Sequence, residues 1–565
     1  MKQITDATIP KPEVYIENLI FNDGTSLSLT KSDVIVFVGS NNSGKSQVLK
    51  DIVSMMTTKN IKQKIVSNIN LLTLNDLAEY VSHNFQPNQH GQYRLNSECN
   101  LHFSIYKACW NEKTLSSNIH KYFVNILNTE QRLLTSKNTK SYDVDEKFPQ
   151  NPVQRLYSDK NAELKISKLF NKAFGEDIIV DRFAGEFIKL RIGKRPIKEP
   201  NEDVDDNSYR EKIRQLPILE EQGDGMRSFA SILLDVFIEG YNITLIDEPE
   251  AFLHPPQARA IGNMLASNGK TNHQMFISTH SEDFIKGLLD VENDNIKIVR
   301  INRNTNINHM KVLSNEDVKR IWSNPLLRHS NILSGLFHSK VVICESDSDC
   351  RFYKALVDVI CEKENKTIPD ILFTHCGGKH RIKDVISALK PLGVNVFAIC
   401  DIDVLNDKKV MEDLLKSVGL DWSDIENDWK IIDNHVKNKR PQLAAADVRK
   451  EIEAQLSEID ENVTVLPVEF AKNIQKIIKL STAWADIKTA GKSYFNGNVY
   501  NAFENIVSKC EEKGILILEV GELEQFHKPL ANLHGPEWAN EVLQIDLNDD
   551  TVLNEAKEFV KKLLD

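Results

Sequence analysis

Residues 39–46 have the types and spacing needed to bind phosphate groups, because they read Gly-Ser-Asn-Asn-Ser-Gly-Lys-Ser and match the pattern GxxxxGK(S/T) in full. Glycines in such a loop let backbone N–H groups close around phosphate oxygens. The lysine reaches the terminal phosphates, and the serine that follows it ligates Mg²⁺. We therefore predict a site for ATP and Mg²⁺, with contacts from Gly39, Asn41, Asn42, Ser43, Gly44, Lys45 and Ser46.

Two acidic residues and a histidine further along the chain extend this chemistry. The apolar run 243–246 ends in Asp247 and Glu248, which is the Walker B arrangement. Asp247 is expected to hold Mg²⁺ through water, and Glu248 is expected to orient and deprotonate the attacking water. His280 ends a second apolar run and is expected to contact the γ-phosphate. Glu248 is thus the predicted catalytic base of ATP hydrolysis.

A polar, glycine-bearing turn at residues 222–228 lies between the phosphate loop and the Walker B run, and it opens an apolar helix. This turn resembles the signature motif of ABC ATPases. The four motifs together resemble the DNA-repair and defence branch of that superfamily. In such proteins two ATPase heads hold nucleotide between them, with the signature of one head facing the Walker A loop of the other. The resemblance therefore implies a homodimer or a larger homo-oligomer.

The second half of the chain carries acidic residues directly after apolar runs. The members of this set are Glu345, Asp349, Asp401, Asp403, Glu522 and Glu524. Carboxylates at the ends of neighbouring parallel strands meet at one edge of the sheet, where they repel each other unless cations lie between them. Hard oxygen ligands select Mg²⁺ or Mn²⁺, and two such ions can clamp a phosphodiester. The alternative is that some of these acids are helix N-caps or solvated turn residues.

The elements that would position these residues alternate between strands and helices. Residues 33–39 are predicted to form a buried strand that leads into a helix from Lys45. After residue 338, strands are predicted at 340–344, 371–374, 394–400 and 514–520, and helices at 351–361, 380–389 and 552–564. Such alternation predicts a parallel sheet of βαβ units. The segments 60–210 and 410–500 interrupt the pattern, and the second of them looks mostly helical.

The ABC motifs followed by Glu345, the Asp401–x–Asp403 pair and the late acidic segment resemble the OLD (overcoming lysogenization defect) family of endonucleases. The resemblance is clearest over residues 15–56, 215–290 and 338–535. It implies an α/β fold class. An ABC-type P-loop ATPase domain is expected over 1–335, with a helical insertion and dimerisation region at about 60–210. A TOPRIM nuclease domain is expected over 336–565, with a helical insertion at about 410–500.

The same resemblance implies roles for individual residues. It assigns metal binding to Glu345, Asp349, Asp401, Asp403 and Glu524, with Glu522 a weaker candidate, in addition to Ser46 and Asp247 at the nucleotide. Glu345 and Asp401 are the expected catalytic residues of the nuclease. Family members also use a basic residue, often a lysine beyond the last carboxylate, to stabilise the phosphate. Lys528 and Lys492 are both candidates for that residue.

The composition of the chain limits which binding partners and which cellular compartment we expect. The chain has 565 residues and a formal net charge of -11, so DNA would have to bind through local patches or through metal ions. The eight cysteines form no CxxC pair, which argues against structural zinc. The first residues lack the apolar segment of a signal peptide, and no run of about 18 apolar residues occurs. The sequence therefore predicts a protein of the reducing cytoplasm with no membrane segment.

Three functions are compatible with these patterns. The leading one is an ATP-regulated, metal-dependent DNA endonuclease that defends against phage, since OLD relatives include the Gabija nuclease subunit and retron-associated effectors. Such a protein could act with a helicase-like protein, or with a reverse transcriptase and its DNA. The second is a nucleotide-switched sensor whose main role is to bind a partner. The third is a DNA-repair or DNA-topology ATPase that does not cleave.

Overall fold

The computed structural model describes residues 9–58, 64–95, 99–142, 149–197, 207–267, 272–304, 307–314, 317, 323, 331–439, 445–459, 463–479 and 483–564. The chain divides into two compact units, Met1–His329 and Ser330–Asp565. In the described part of the chain, no helix combines the length and the apolar character that a membrane crossing requires.

The first unit combines strands from widely separated parts of the sequence with eleven described helices. Its strands are β1 Glu13–Phe21, β2 Ser26–Ser28, β3 Val34–Gly39, β4 Val66–Leu74, β5 Gln92–Arg94, β6 Asn100–His102, β7 Val124–Leu127, β8 Thr139–Lys140, β9 Asp177–Asp181, β10 Phe187–Gly193, β11 Ile243–Asp247, β12 Gln274–Ser278, β13 Ile296–Asn304 and β14 Ile307–Val312. Its helices are α1 Lys45–Thr57, α2 Leu77–Asn84, α3 Phe103–Asn111, α4 His120–Phe123, α5 Thr129–Thr135, α6 Pro152–Ser158, α7 Lys160–Phe174, α8 Asn207–Arg214, α9 Asp224–Phe237, α10 Pro255–Ser267 and α11 Glu282–Leu289.

A six-stranded sheet forms the centre of this unit, in the order β14-β13-β3-β12-β11-β7. Neighbouring strands run parallel except for β14, which pairs antiparallel with β13. Strand β3 is buried along its whole length, as expected for a central strand that is covered on both faces. The carboxyl ends of β3, β11 and β12 carry the phosphate loop, the Walker B acids and His280, so the parallel arrangement brings these three segments to one edge.

Part of segment 60–210 belongs to the sheets of the ATPase unit. Strand β7 pairs with β11 at the edge of the central sheet, and β4 pairs antiparallel with β1 in a smaller sheet of order β2-β1-β4. A third sheet, in the order β8-β10-β9, lies between α5 and the signature helix in the sequence. The sequence pattern predicts 60–210 as a single insertion, because the strands in this segment are short and lack the phosphate-binding residues that identify the neighbouring segments.

The second unit is built on a fully parallel sheet in the order β16-β15-β17-β18. Its strands are β15 Lys340–Cys344, β16 Ile371–His375, β17 Asn395–Cys400 and β18 Ile515–Ile517. Its helices are α12 Asp347–Lys363, α13 Ile382–Leu389, α14 Lys408–Val418, α15 Glu426–Lys439, α16 Ala445–Ser457, α17 Val468–Lys479, α18 Ala483–Ala490, α19 Gly497–Glu511, α20 Pro536–Val542 and α21 Asn554–Lys561.

Several predicted boundaries move in this unit, each for a local reason. The strand predicted at 514–520 is only three residues long, because the chain turns after it and the Gly521 N–H donates to the Leu518 carbonyl. Helix α12 begins at Asp347 rather than at 351, because Ser346 caps it. The final α-helix begins at Asn554, after a turn of 3₁₀-helix, and ends at Lys561.

The core of the second unit is a cluster of aromatic and aliphatic side chains between α12 and the last helices. Phe352 of α12 contacts Trp538 of α20 with their ring centroids 5.0 Å apart, and both side chains are fully buried. Such aromatic pairs add to the stability gained from area burial alone. The cluster fixes α12, whose first turn carries Asp349, against the sheet.

Candidate nucleotide and metal sites

The phosphate loop is a closed turn between β3 and α1. Lys45 is buried, and its Nζ donates hydrogen bonds to the carbonyl oxygens of Gly39 and Ser40, each at 2.9 Å. Asn41 and Asn42 are exposed at the outside of the loop, whereas Ser43 is buried. Asn42 has a φ of 61°, in the left-handed region that asparagine tolerates better than most residues. The loop therefore already has the tight curvature that a phosphate cradle requires.

The structure brings the two predicted Mg²⁺ ligands of this site into contact. The Ser46 hydroxyl donates to Asp247 Oδ1 at 2.8 Å, although 201 residues separate them in sequence. Ser278, at the end of β12, donates its hydroxyl to the same carboxylate oxygen. A serine hydroxyl beside a carboxylate at the end of a strand is the ligand set that P-loop ATPases use for Mg²⁺. These residues therefore fit the ion that the sequence predicts here.

Glu248 and His280 face each other across the same edge of the sheet. His280 Nδ1 lies 3.3 Å from Glu248 Oε1 and 3.5 Å from Glu250 Oε1. The Glu250 carboxylate is buried and accepts hydrogen bonds from the Thr279 hydroxyl and from the His280 N–H. Burial raises the pKa of Glu250 above its usual value, and the hydrogen bonds oppose that shift. Glu250 thus fixes the backbone at His280, and the more exposed Glu248 stays available for chemistry.

Arg132 is a residue of this site that the sequence analysis missed. It is fully buried on α5, and its guanidinium donates to the backbone carbonyls of Asp247 at 2.6 Å and Glu248 at 2.9 Å. Its Nε donates to the Ser228 hydroxyl on the signature helix α9 at 3.1 Å. One side chain therefore joins the Walker B loop to the signature helix. Arg132 stands outside every motif and 96 to 116 residues before its partners, so only the fold reveals it.

The signature segment forms the first turn of α9, with Gly223 as its N-cap. The Walker B loop packs directly against this turn, because a Cβ at Gly225 would lie 2.7 Å from the Phe252 carbonyl oxygen. Phe252 has a φ of 70°, and its side chain is half exposed. The signature turn and an exposed aromatic side chain therefore lie together on this unit.

In the second unit, three predicted residues converge at the carboxyl edge of the parallel sheet. Glu345 follows β15, and Asp401 and Asp403 follow β17. Each offers a carboxylate oxygen within 4.8 Å of the others. The Asp401 N–H donates to Glu345 Oε1 at 3.3 Å. The donor set consists of hard oxygen atoms, which fits Mg²⁺ or Mn²⁺.

Burial and mutual repulsion perturb these carboxyl groups. Burial raises the pKa of Glu345, and the charge of Asp403 raises it further. Burial also raises the pKa of Asp401 well above its usual range, with Glu345 adding to the shift and Lys488 opposing it. Groups that resist ionisation in isolation are stabilised as carboxylates when a cation lies among them. The shifts are therefore those expected of ligands arranged around a cation.

A second acidic group lies beyond β18. Glu522, Glu524 and His534 each offer a ligand atom within 4.8 Å of the others. Glu524 is buried, and its Oε1 accepts a hydrogen bond from the Gly535 N–H at 2.8 Å. His534 Nδ1 lies 3.8 Å from the same oxygen. Histidine is absent from the ligands that the sequence predicts, because no strand or acidic motif adjoins it.

Asp349, which is predicted to bind metal, also takes part in capping helix α12. Its carboxylate accepts the Ser346 N–H at 2.7 Å and thus forms a capping box at the start of α12. Burial raises its pKa, the Ser346 hydrogen bonds oppose this, and the charge of Glu524 raises it again. The last effect connects Asp349 with the second acidic group. Ser346 is the N-cap of α12 and Asp349 completes its capping box, and the role of Asp349 as a metal ligand stays a prediction.

Two lysines that the sequence analysis did not single out lie among the carboxylates. Lys488 Nζ is 3.0 Å from Glu522, 3.4 Å from Asp401 and 3.7 Å from Asp403. Lys379 Nζ lies 2.9 Å from Asp403 Oδ1. Of the two lysines proposed from the sequence, Lys492 pairs with Glu519 and Lys528 is exposed. A glycine pair before Lys379 was a usable signal, but nothing local marks Lys488.

Two family models match parts of the chain, one in each half. Residues 151–285 match the family model described as "AAA domain, putative AbiEii toxin, Type IV TA system". Residues 336–403 match the model described as "Overcoming lysogenization defect protein-like, TOPRIM domain". The first match contains the signature segment, the Walker B acids and His280, and the second contains Glu345, Asp349, Asp401 and Asp403. No curated protein matches the chain.

Solved structures with similarity to the chain include SMC head domains. A crystal structure of the SmcHead bound to the C-winged helix domain of ScpA aligns with 13% identity and a TM-score of 0.34, covering 54% of this chain and 99% of that chain. A Pyrococcus furiosus Smc head domain with an extended coiled coil, bound to the C-terminal domain of ScpA, aligns with 13% identity and a TM-score of 0.30, covering 55% and 98%. The SMC head domain from Thermotoga maritima aligns with 13% identity and a TM-score of 0.27, covering 54% and 100%.

The predicted α/β fold class is confirmed, with an ATPase domain in the first half and a TOPRIM domain in the second. The resemblance to the OLD family is confirmed at the level of its two domains. An AAA ATPase domain followed by an OLD-like TOPRIM domain is thus present in this chain, and that combination matches the OLD (overcoming lysogenization defect) family.

Proposed function

We propose that this chain is an ATP-hydrolysing, metal-dependent DNA endonuclease that acts in the cytoplasm in defence against phage. The observation that carries the proposal is the convergence of Glu345, Asp401 and Asp403 in an OLD-like TOPRIM domain. The same chain carries an assembled phosphate loop with Ser46 against Asp247. Together they support a nuclease whose state depends on nucleotide.

The carboxylates of Glu345, Asp401 and Asp403 would hold the metal ions. We extend this role to Glu524 of the second acidic group and to Asp349, whose pKa the charge of Glu524 raises. Bound Mg²⁺ or Mn²⁺ would supply charge stabilisation and an activated water at a phosphodiester. Glu345 and Asp401 fix the position of that chemistry, because each follows a buried strand and the backbone of one donates to the side chain of the other. Lys379 holds Asp403 in place from the neighbouring loop.

We also propose a homodimer in the nucleotide-bound state. The support is the position of the signature turn, which begins α9 and packs against the loop that carries the exposed Phe252. A signature segment acts on a nucleotide held by another head, so a closed two-fold arrangement would pair each turn with the partner's phosphate loop. Exposed aromatic residues are enriched in such interfaces.

The test of the nuclease is Asp401→Asn, which keeps the side-chain shape and removes a charge that the metal ions require. Supercoiled plasmid is incubated with Mg²⁺ or Mn²⁺, with and without ATP, and ATP hydrolysis is measured on the same preparation. We expect cleavage to fall by about 10²-fold or more while ATP hydrolysis stays within about twofold of wild type. Glu345→Gln should give the same result.

The matched control is Glu519→Gln, which removes a carboxylate that directly follows β18 but pairs with Lys492. Cleavage by this variant should stay close to that of wild type. If Asp401→Asn cuts as fast as wild type, the assignment of the metal centre is wrong. If wild type cuts no DNA under any of these conditions, a nucleotide-switched sensor or a non-cleaving repair ATPase becomes the better account.

A further inference from the structure

The helical segment between β17 and β18 delivers a lysine side chain to the carboxylate cluster, defined here as Glu345, Asp401, Asp403 and Glu522. That side chain is Lys488, near the end of α18. Its ammonium lies within 3.0 to 3.7 Å of carboxylate oxygens from three of the four acids. Its partners come from two different strand ends, so the contact joins the loops after β17 and β18.

The backbone around Lys488 is fixed by close packing. Gly521 has a φ of 113°, and a Cβ placed there would lie 1.9 Å from the Lys488 carbonyl oxygen. A Cβ at Gly491 would lie 2.3 Å from the Glu519 carbonyl oxygen. The Lys492 N–H donates to that same oxygen at 2.7 Å. Two glycines therefore allow the end of α18 to pack backbone against backbone on the loop that carries Glu522.

The charges around the cluster are unbalanced without Lys488. Four carboxylates meet there, and the described ammonium groups in contact with them are those of Lys488 and Lys379. Lys379 is committed to Asp403, since it also donates to the Asp403 backbone carbonyl at 3.1 Å. Lys488 is the cation positioned between the acids, and a divalent ion that binds Asp401 must approach a carboxylate that Lys488 already contacts.

We propose that Lys488 is the built-in counter-ion of this cluster and that a divalent cation binds in competition with it. The inference rests on the proposed metal centre and adds a residue that sets its affinity. Removing the ammonium leaves the carboxylates with more uncompensated negative charge, so the ion should bind more tightly. The same removal should destabilise the metal-free protein, because the acids then repel each other.

The experiment measures Mn²⁺ binding to the full chain by isothermal titration calorimetry, with thermal unfolding recorded in the presence and absence of Mn²⁺. For Lys488→Met we expect the Mn²⁺ dissociation constant to fall by about tenfold or more. Its unfolding midpoint without Mn²⁺ should be lower than that of wild type, and the rise caused by Mn²⁺ should be larger. Lys488→Arg, which keeps the charge, should bind Mn²⁺ with nearly wild-type affinity.

Lys492→Met is the matched control, since Lys492 pairs with Glu519 on the same loop but outside the cluster. Its Mn²⁺ affinity should stay within about twofold of wild type. Retained ATP hydrolysis by each variant shows that the first unit is folded, and the thermal unfolding transition shows whether the second unit, which carries the substitution, is folded as well. Unchanged or weaker Mn²⁺ binding by Lys488→Met overturns the inference, as does equal tightening by Lys488→Arg. Absence of Mn²⁺ binding in wild type and Lys488→Met alike overturns both the inference and the metal centre. A lack of DNA cleavage with intact Mn²⁺ binding counts against the proposed function alone.

Discussion

At the scale of single residues, the phosphate loop and the acids after strands were accessible from sequence because each is local. Residues 39–46 form a contiguous pattern, and Asp401 and Asp403 directly follow an apolar run. Arg132 and Lys488 were not accessible in this way. Each acts on backbone or carboxylates that are distant in sequence, and arginines and lysines on helices usually point to solvent. Only the three-dimensional contacts distinguish them from ordinary surface residues.

A buried acid on the signature helix provides a prediction at this scale. Asp235 of α9 is 7% exposed, and burial raises its pKa to about 7. The folded state therefore binds this proton more strongly than the unfolded state, and stability falls as pH rises from about 4 to 7. Asp235→Asn resembles the protonated form of the side chain and therefore removes this loss of stability at high pH.

We expect Asp235→Asn to stabilise the ATPase unit by on the order of 1–3 kcal/mol at pH 8 and to have little effect at pH 4.5. The measurement is the unfolding midpoint against pH. Asp224→Asn, on the exposed first turn of the same helix, controls for the loss of one negative charge. A midpoint difference that does not change with pH would show that Asp235 is ionised throughout.

At the scale of elements, periodicity predicted the strands and helices that carry the site residues, but not most of the shorter elements between them or the order of the strands in each sheet. Strand β7 is only four residues long, so its place at the edge of the central sheet depends on tertiary contacts with β11. The turn after β18 shortens a run that is apolar as far as Leu518. Short elements of this kind carry too few residues for their pattern to identify them, which is why boundaries were predicted less well than element types.

Arg132 joins α5 to α9 and to the Walker B loop. We use this connection to predict how a substitution at Arg132 changes ATP binding and hydrolysis. Arg132→Lys keeps the charge but cannot reach two carbonyls and Ser228 together, because lysine lacks the planar fork. We expect ATP affinity to stay within about threefold of wild type and kcat to fall by about tenfold or more, because Glu248 is less well positioned. Equilibrium ATP binding and steady-state hydrolysis separate the two effects.

Ser228→Ala is the companion variant, since it removes only the Arg132 Nε acceptor on α9. Its effect on kcat should be smaller than that of Arg132→Lys. The two effects should also fail to add in the double variant, because they act on one connection. A change in ATP affinity with unchanged kcat would show that Arg132 does not position the Walker B loop.

At the scale of the whole molecule, the two units carry separate chemistries on separate sheets. The proposed dimer pairs the ATPase head of one chain with that of a second chain, and it does not join the two active sites of a single chain. Gly223 provides a test of that dimer. It is the N-cap of α9, has an ordinary φ of -60°, and a Cβ there would meet no atom within 4 Å. A side chain at this position should therefore be tolerated within one chain.

Gly223→Glu places a carboxylate at the helix N-terminus, which suits the fold but repels a phosphate held by a partner. In a Glu248→Gln background, which should keep ATP bound by slowing its hydrolysis, light scattering is expected to show an ATP-dependent dimer. Adding Gly223→Glu should leave ATP bound to a monomer. Gly240→Glu is the control, because it introduces the same side chain at an exposed glycine of the same unit, where a Cβ would lie 3.6 Å from Lys11 Nζ. A Gly223→Glu protein that still dimerises with ATP would contradict the proposed role of the signature turn.

The pairing of β18 with β17 also bears on the order in which the chain is made. Glu522 follows the whole helical segment between β17 and β18, and Lys488 lies late in that segment, near the end of α18. Roughly 120 residues separate Asp403 from Glu522, so at roughly 5–20 residues per second synthesis of the later group lags by about 6–24 s. During that interval a nascent chain carries Glu345 and Asp401 without the loop that completes their surroundings. During translation of this protein the cluster therefore cannot be complete before residue 522 has been synthesised.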